Sequence, residues 1–104
     1  MPEMISIGEC MIELFSEDPL ETASTFTRSF AGDSFNILVA ANRLGTSTGY
    51  ITKLGNDPFK SYLENSFLAE GVDTSHVITS DSGGFNAVHF VAVKPNGERE
   101  FVYY

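Results

Sequence analysis

Phe30-Ala31-Gly32-Asp33-Ser34-Phe35-Asn36, running directly into Ile37-Leu38-Val39-Ala40-Ala41-Asn42-Arg43-Leu44-Gly45, joins a glycine turn to a helix start that displays several polar groups. Gly32 lets the backbone approach a ligand closely, and Asp33 or Ser34 is placed to cap the helix. The free N–H groups of the first turn attract electronegative atoms. Such helix starts often do nothing beyond capping, so this one takes its meaning from what surrounds it. The helix itself, read as Phe35 to Leu44, is apolar on most sides and closes at Gly45, which predicts that it is largely buried.

Upstream, Met4 to Ile7 reads as a buried strand ending at Gly8, and Cys10 to Phe15 alternates as a second strand or an extension of the first. The acidic, Thr/Ser-rich Ser16 to Ser29 reads as a loop or an edge excursion. Downstream, Tyr50-Ile51-Thr52 is a short strand, after which Asp57 caps and Pro58 opens a second helix. In that helix Phe59, Tyr62, Leu63, Ser66 and Phe67 follow the i, i+3, i+4, i+7, i+8 stripe, and Gly71 ends it. Strand, helix, strand, helix, strand in this order predicts right-handed βαβ crossovers and a parallel sheet, an α/β fold. Ala87 to Val93 and Arg99 to Tyr104 differ. They are β-rich runs joined by Lys94-Pro95-Asn96-Gly97-Glu98, whose Pro and Gly specify a tight antiparallel reversal. Val88 and Phe90 fall on one face of that hairpin, Val91 and Val93 on the other, so both faces call for cover.

Composition bounds the function classes. The 104 residues make one domain at most, and a hydrophobic fraction of 42% reads as globular. With 14 acidic against 6 basic residues the formal charge is −8, which argues against nucleic acid or an anionic membrane as a partner. The lone Cys10 has no partner for a disulfide, and no basic-plus-apolar leader opens the sequence, so a cytoplasmic location is expected. The longest wholly apolar run, Ile37 to Ala41, is far too short to cross a bilayer. There is no phosphate loop of the Gly-x-x-x-x-Gly-Lys-Ser/Thr kind, no His-Glu-x-x-His metal motif and no Gly-x-Ser-x-Gly nucleophile turn.

Two further stretches frame the glycine turn: Ile5-Ser6-Ile7-Gly8-Glu9-Cys10-Met11-Ile12-Glu13-Leu14 before it, and Asn96-Gly97-Glu98-Arg99-Glu100-Phe101-Val102-Tyr103-Tyr104 at the end. In this order and at these separations the three resemble the N-terminal part of the ribokinase-like (phosphofructokinase B) carbohydrate kinases, and within them the 2-keto-3-deoxygluconate branch. Gly8 to Glu13 and the closing Gly-Glu-Arg-x-Phe-x-Tyr pattern carry the likeness to that branch. Gly45, Gly55-Asn56-Asp57-Pro58-Phe59 and Glu70-Gly71-Val72-Asp73 fit the superfamily at large. Ala31 stands where the family has the first glycine of a Gly-Gly pair, and His89 where the branch has a tyrosine.

The resemblance implies that residues 1–104 are the N-terminal portion of a single ribokinase-like domain, with lid strands near 10–15 and 87–104. It implies transfer of the ATP γ-phosphoryl group, with Mg²⁺, to the primary hydroxyl of a keto-sugar acid, most simply 2-keto-3-deoxygluconate. The family's aspartate base and nucleotide site come late in the chain, so no catalytic, nucleotide or metal residue is expected within this segment. On the sugar side the implied substrate-binding residues are Glu13, Gly32, Asp33, Asn36, His89 and Tyr103, and the implied assembly is a homodimer through the lid strands. Each residue has a plainer alternative: a solvated carboxylate for Glu13, a helix cap for Asp33, a solvent-facing amide for Asn36, a structural histidine for His89, and hairpin packing for Tyr103. For the whole protein, fructokinase or ribokinase activity, or a non-catalytic sugar-binding or dimerisation module, remain the other readings.

Overall fold

Apolar, aromatic and β-branched residues dominate Met11–Ser16 and Val88–Val93 and favour two strands, and the sheet that they begin is one of two among the described residues. The structure, a computed structural model, describes residues 2–81 and 83–104. In chain order the elements are β1 (Met4–Ile7), β2 (Met11–Ser16), β3 (Thr27–Ala31), α1 (Asp33–Arg43), β4 (Thr48–Leu54), α2 (Lys60–Ala69), β5 (Val77–Thr79), β6 (Val88–Val93) and β7 (Arg99–Tyr103). The first sheet is the expected parallel one, in the order β1-β4-β5. The second runs β3-β2-β6-β7, parallel between β2 and β6 and antiparallel at both flanks. The expected hairpin and the 10–15 strand are therefore parts of a single four-stranded sheet, here termed the lid sheet.

A cluster of aromatic side chains joins lid, helices and parallel sheet. The Phe35 ring lies 4.7 Å from that of Phe67, 4.8 Å from Phe30 and 5.7 Å from Tyr50, centroid to centroid. Leu38, Leu54, Leu63 and Ile12 complete the buried set around them, with Leu14, Phe30 and Val88 packed alongside. Opposite residues of paired strands share a face, so Ile12, Phe30 and Val88, in register across β2, β3 and β6, turn together onto this core. Gly45 and Gly71 end the two helices at φ 94° and 77°, as their positions predicted.

The structure corrects three expectations and narrows a fourth. Met4–Ile7 is not buried: Met4, Ile5 and Ile7 are 36%, 56% and 76% exposed, because β1 is an edge strand with only β4 beside it among the described residues. Of the loop or edge excursion expected over Ser16–Ser29, the end is the edge: Thr27 begins β3, which pairs with β2 and runs straight into the glycine turn. Its Thr-Arg-Ser start is polar because it is a solvent-facing edge, which hides it from a hydrophobicity reading. Helix α1 buries Phe35 and Leu38 fully but leaves Ile37 and Leu44 exposed at 55% and 87%. Finally, Val91 needs no external cover, being 2% exposed with Phe15 and Phe101 on the flanking strands in register with it. The uncovered apolar groups lie on and just after β7, at Phe101, Val102, Tyr103 and Tyr104.

The lid is tied down at the carboxyl end of β4. Asp57 accepts the Phe59 N–H (2.9 Å) ahead of α2, which starts at Lys60, so Pro58 belongs to the preceding turn. The same carboxylate accepts the Asn86 backbone N–H (2.8 Å) and one side-chain N–H (2.6 Å). Asn86, itself buried, closes a reciprocal pair with the Gly55 backbone, accepting its N–H at 2.9 Å and donating to its carbonyl at 3.1 Å. Desolvation raises the Asp57 carboxyl, but the bonds from Asn86, Phe59 and Lys60 outweigh it and hold the group below its ordinary 3.8. A depressed folded value means stability that is present above 3.8 and lost as the pH falls through the lowered value. Asn86→Ala is expected to cost the full-length protein about 2–3 kcal/mol in thermal melts, since it orphans buried backbone groups. Asp57→Asn is expected to flatten the decline of melting temperature below pH 4, and an unchanged acid limb would contradict the clamp.

Candidate functional site

No side chain can stand at position 32, and this shapes the one junction where lid strand β3 gives way to α1. Gly32 has φ 139°, and a Cβ built there would lie 2.6 Å from the Glu9 carbonyl oxygen. Gly32 is itself the N-cap, without a side-chain capping bond, and its carbonyl accepts the N–H groups of Phe35 and Asn36 at 3.2 and 2.9 Å. The expected cap by Asp33 or Ser34 is thus corrected. Asp33 is the first helical residue, its carboxylate exposed. Ser34 Oγ donates instead to the Glu9 carbonyl (2.9 Å), and having one proton it must accept from Tyr50 Oη at 2.7 Å. This bridge pins the Gly8–Cys10 connection against the helix start and needs Gly8 to lack a side chain, because a Cβ there would meet Ser34 at 2.6 Å. Burial raises both the Tyr50 phenol and the Cys10 thiol, the latter to about 12, so neither ionises near neutrality.

Between this junction and the lid lies a cleft of about 510 Å³, lined by Glu9, Met11, Ala31, Gly32, Asp33, Ser34, Asn36, His89 and Tyr103. Five of the six residues named from sequence, Gly32, Asp33, Asn36, His89 and Tyr103, meet in its wall. The Asn36 amide is exposed and has no partner among the described residues, which leaves a donor and an acceptor free. Glu13 is not in the wall. It stands one strand back, paired with His89 in the parallel register, its carboxylate 3.1 Å from His89 Nε2. Tyr103 is opposite His89 on the other side, with ring centroids 5.2 Å apart.

Sequence reasoning did not name Glu9, Met11, Ala31 or Ser34 as ligand residues: Met11 and Ala31 come together through the pairing of β2 with β3, and Glu9 and Ser34 through the Ser34 Oγ to Glu9 carbonyl bond. Glu9 and Asp33 bring negative charge to the wall, and no Lys or Arg lines it. Among the described residues no group of three or more His, Cys, Asp or Glu could hold a metal ion. No helix among these residues is long and apolar enough to cross a membrane.

A parallel α/β sheet carrying a strand-built lid, with a polar cleft at the glycine turn beneath it, is the architecture of the carbohydrate kinases. The fold matches a PfkB protein from Polaromonas sp. JS666 with a TM-score of 0.92 at 30% identity, covering 100% of this chain and 35% of that one. It matches an uncharacterized sugar kinase from Pyrococcus horikoshii, solved in complex with ATP, with a TM-score of 0.87 at 32% identity, covering 97% of this chain and 33% of that one. The model of the pfkB family carbohydrate kinases covers residues 1–104, and the chain belongs to that family. Among curated relatives it is 33% identical over 95 residues to 5-dehydro-2-deoxygluconokinase of Geobacillus kaustophilus, covering 88% of this chain. It is 34% identical over 104 residues to Fructokinase-1 of Zea mays, covering 97% of this chain. It spans only 28% and 32% of the length of those two relatives.

The turn and the amide make opposite demands on stability. Gly32→Ala is expected to lose about 1–3 kcal/mol through backbone strain and collision with Glu9. Asn36→Ala, which removes an exposed and unpaired amide, should stay within about 0.5 kcal/mol of the wild type. Thermal denaturation of the two variants side by side checks both; equal losses would mean that Asn36 is a structural residue.

Proposed function

We propose that the full-length protein is an ATP-dependent kinase of a keto-sugar acid, of the 2-keto-3-deoxygluconate type, and that these residues supply the sugar side of its pocket. The observation that carries this is the convergence of the Gly32 turn, the free Asn36 amide, His89 and Tyr103 on one polar cleft under the lid. Neutral donors and acceptors of this kind suit hydroxyl groups. The name of the Geobacillus relative, a kinase of a deoxy-keto-gluconate, supports a sugar acid. The cleft's own charge assigns its contacts to the hydroxyl end of such a ligand, and the carboxylate end would need cations from elsewhere in the protein. The fructokinase relatives favour a second reading, phosphorylation of a neutral ketose, for which no such cations are required.

ATP and Mg²⁺ belong, in this reading, to residues outside the segment, as does the base that takes the proton of the attacking hydroxyl. What these residues contribute is position, with the lid excluding water from the transfer. We further propose a cytoplasmic homodimer. The exposed apolar row on β7 is the surface that a partner's lid would cover, and Phe101, half exposed, is the residue on which a charge would enter that contact twice.

Steady-state kinetics of the full-length protein with 2-keto-3-deoxygluconate, D-fructose and D-ribose tests the reading. Turnover should be highest with the sugar acid, and a preference for fructose would select the second reading. Asn36→Ala is expected to lower kcat/KM for the sugar by about 1–3 kcal/mol while the KM for ATP barely moves. A preparation of residues 1–104 alone should show no turnover. Light scattering is expected to give a dimer that Phe101→Glu dissociates at low micromolar concentration, and a monomeric wild type would refute the lid contact.

A further inference from the structure

Among the described residues, His89 carries the one buried side-chain polar atom of the cleft wall that has no hydrogen-bond partner. Its residue is 6% exposed, and its Nδ1 is enclosed with no hydrogen-bond partner among the described residues. Buried polar atoms are nearly always paired, and one left bare costs free energy until something satisfies it. The other ring nitrogen is taken: Nε2 lies 3.1 Å from Glu13 Oε1, between two residues that the parallel register of β2 and β6 places side by side.

Building on the reading that the cleft takes a sugar, we propose that Glu13 and His89 work as a recognition pair. Glu13 is a positioning residue that fixes the imidazole as its Nε2–H tautomer, and His89 Nδ1 is the acceptor for a hydroxyl group of the sugar. An ionised carboxylate can only accept, so its hydrogen bond puts the ring proton on Nε2. The neutral ring then has a lone pair and no proton at Nδ1, and a lone pair selects a hydroxyl donor.

The surrounding charges bear on the ligand rather than on the ring. The titratable groups facing the pair are Glu13 itself on β2, Tyr103 on β7, and Glu9 and Asp33 in the cleft wall. Ser29, opposite Glu13 on β3, is uncharged. The two wall carboxylates, with Glu13 one strand back and no Lys or Arg in the lining, repel an anionic group and leave hydroxyls as the ligand atoms that belong here. Admission is through Tyr103, whose ring leans on the imidazole at 5.2 Å and 45° yet is 63% exposed, so it is free to turn aside when a ligand arrives.

The test uses the full-length protein labelled with ¹⁵N-histidine, with the His89 signals assigned by their loss in His89→Asn. The Nε2–H tautomer is expected in the wild type and a tautomer mixture in Glu13→Leu, and addition of 2-keto-3-deoxygluconate or D-fructose should shift the Nδ1 resonance. In kinetics, Glu13→Leu should raise the sugar KM ~10-fold, the loss of about one oriented hydrogen bond. Glu13→Gln, whose amide oxygen still accepts from Nε2–H, should stay within ~3-fold of wild type, with the ATP KM unchanged in both. An Nδ1–H tautomer in the wild type, a Glu13→Gln defect as large as that of Glu13→Leu, or an unmoved sugar KM in Glu13→Leu would each overturn the proposal. If Glu13→Leu does not fold, the wild-type tautomer and the Glu13→Gln kinetics decide the matter. Absence of turnover with every sugar would instead refute the functional reading of the cleft, and the tautomer would still accept or reject the pair.

Discussion

The contact between the Gly32 backbone and the Glu9 carbonyl, possible only because position 32 has no Cβ, sets the distance between the lid and the parallel sheet. β3 must end, the chain must reverse into α1, and the β1–β2 connection must pass within van der Waals reach of that reversal. Ser34 then stitches the two segments together, donating to Glu9 while accepting from Tyr50 out of the aromatic core. The cleft is the space that this arrangement leaves on its open side. Its walls are held by backbone geometry and by these two hydrogen bonds.

A second fastening acts at the other end of the lid. Asp57 and Asn86 bind the segment leading into β6 to the turn after β4, so the strand that carries His89 is anchored at the carboxyl end of a parallel strand. Ligand sites of open α/β sheets gather at that end of the strands, outside the sheet. Lid and sheet are thus coupled at two points, and the face of the lid bearing Ile12, Phe30 and Val88 is glued to the Phe35, Tyr50 and Phe67 cluster between them. Where one residue of a lid strand meets the core, the next along the strand must face away from it, so His89 follows from Val88, and Tyr103, in register with His89, shares its face.

Much of this could be read from residues in order. The periodic stripe of α2, the helix-ending glycines and the Lys94 to Glu98 reversal are local signals, and each lies where local chemistry put it. What could not be read is non-local. β3 is a polar edge that exists because β2 offers it hydrogen bonds, and β1 looks like a core strand although among the described residues only β4 lies beside it. The same limit explains the site. Gly32, Asn36, His89 and Tyr103 were recognisable from the motifs, whereas the retreat of Glu13 behind His89 depends on a parallel pairing of strands more than seventy residues apart, as the register of Glu13 with His89 shows.

The proposed function requires that this cleft, and no other surface of the segment, receive the sugar. It is tested most directly by titrating 2-keto-3-deoxygluconate into the ¹⁵N-labelled full-length protein and following the backbone amide resonances. Saturable shifts centred on Gly32, Asp33, Asn36 and Tyr103 are what the geometry predicts. Shifts confined to other surfaces, such as the groove where Arg28 lies over Tyr62, with the Gly32 and Asn36 amides unmoved, would contradict it.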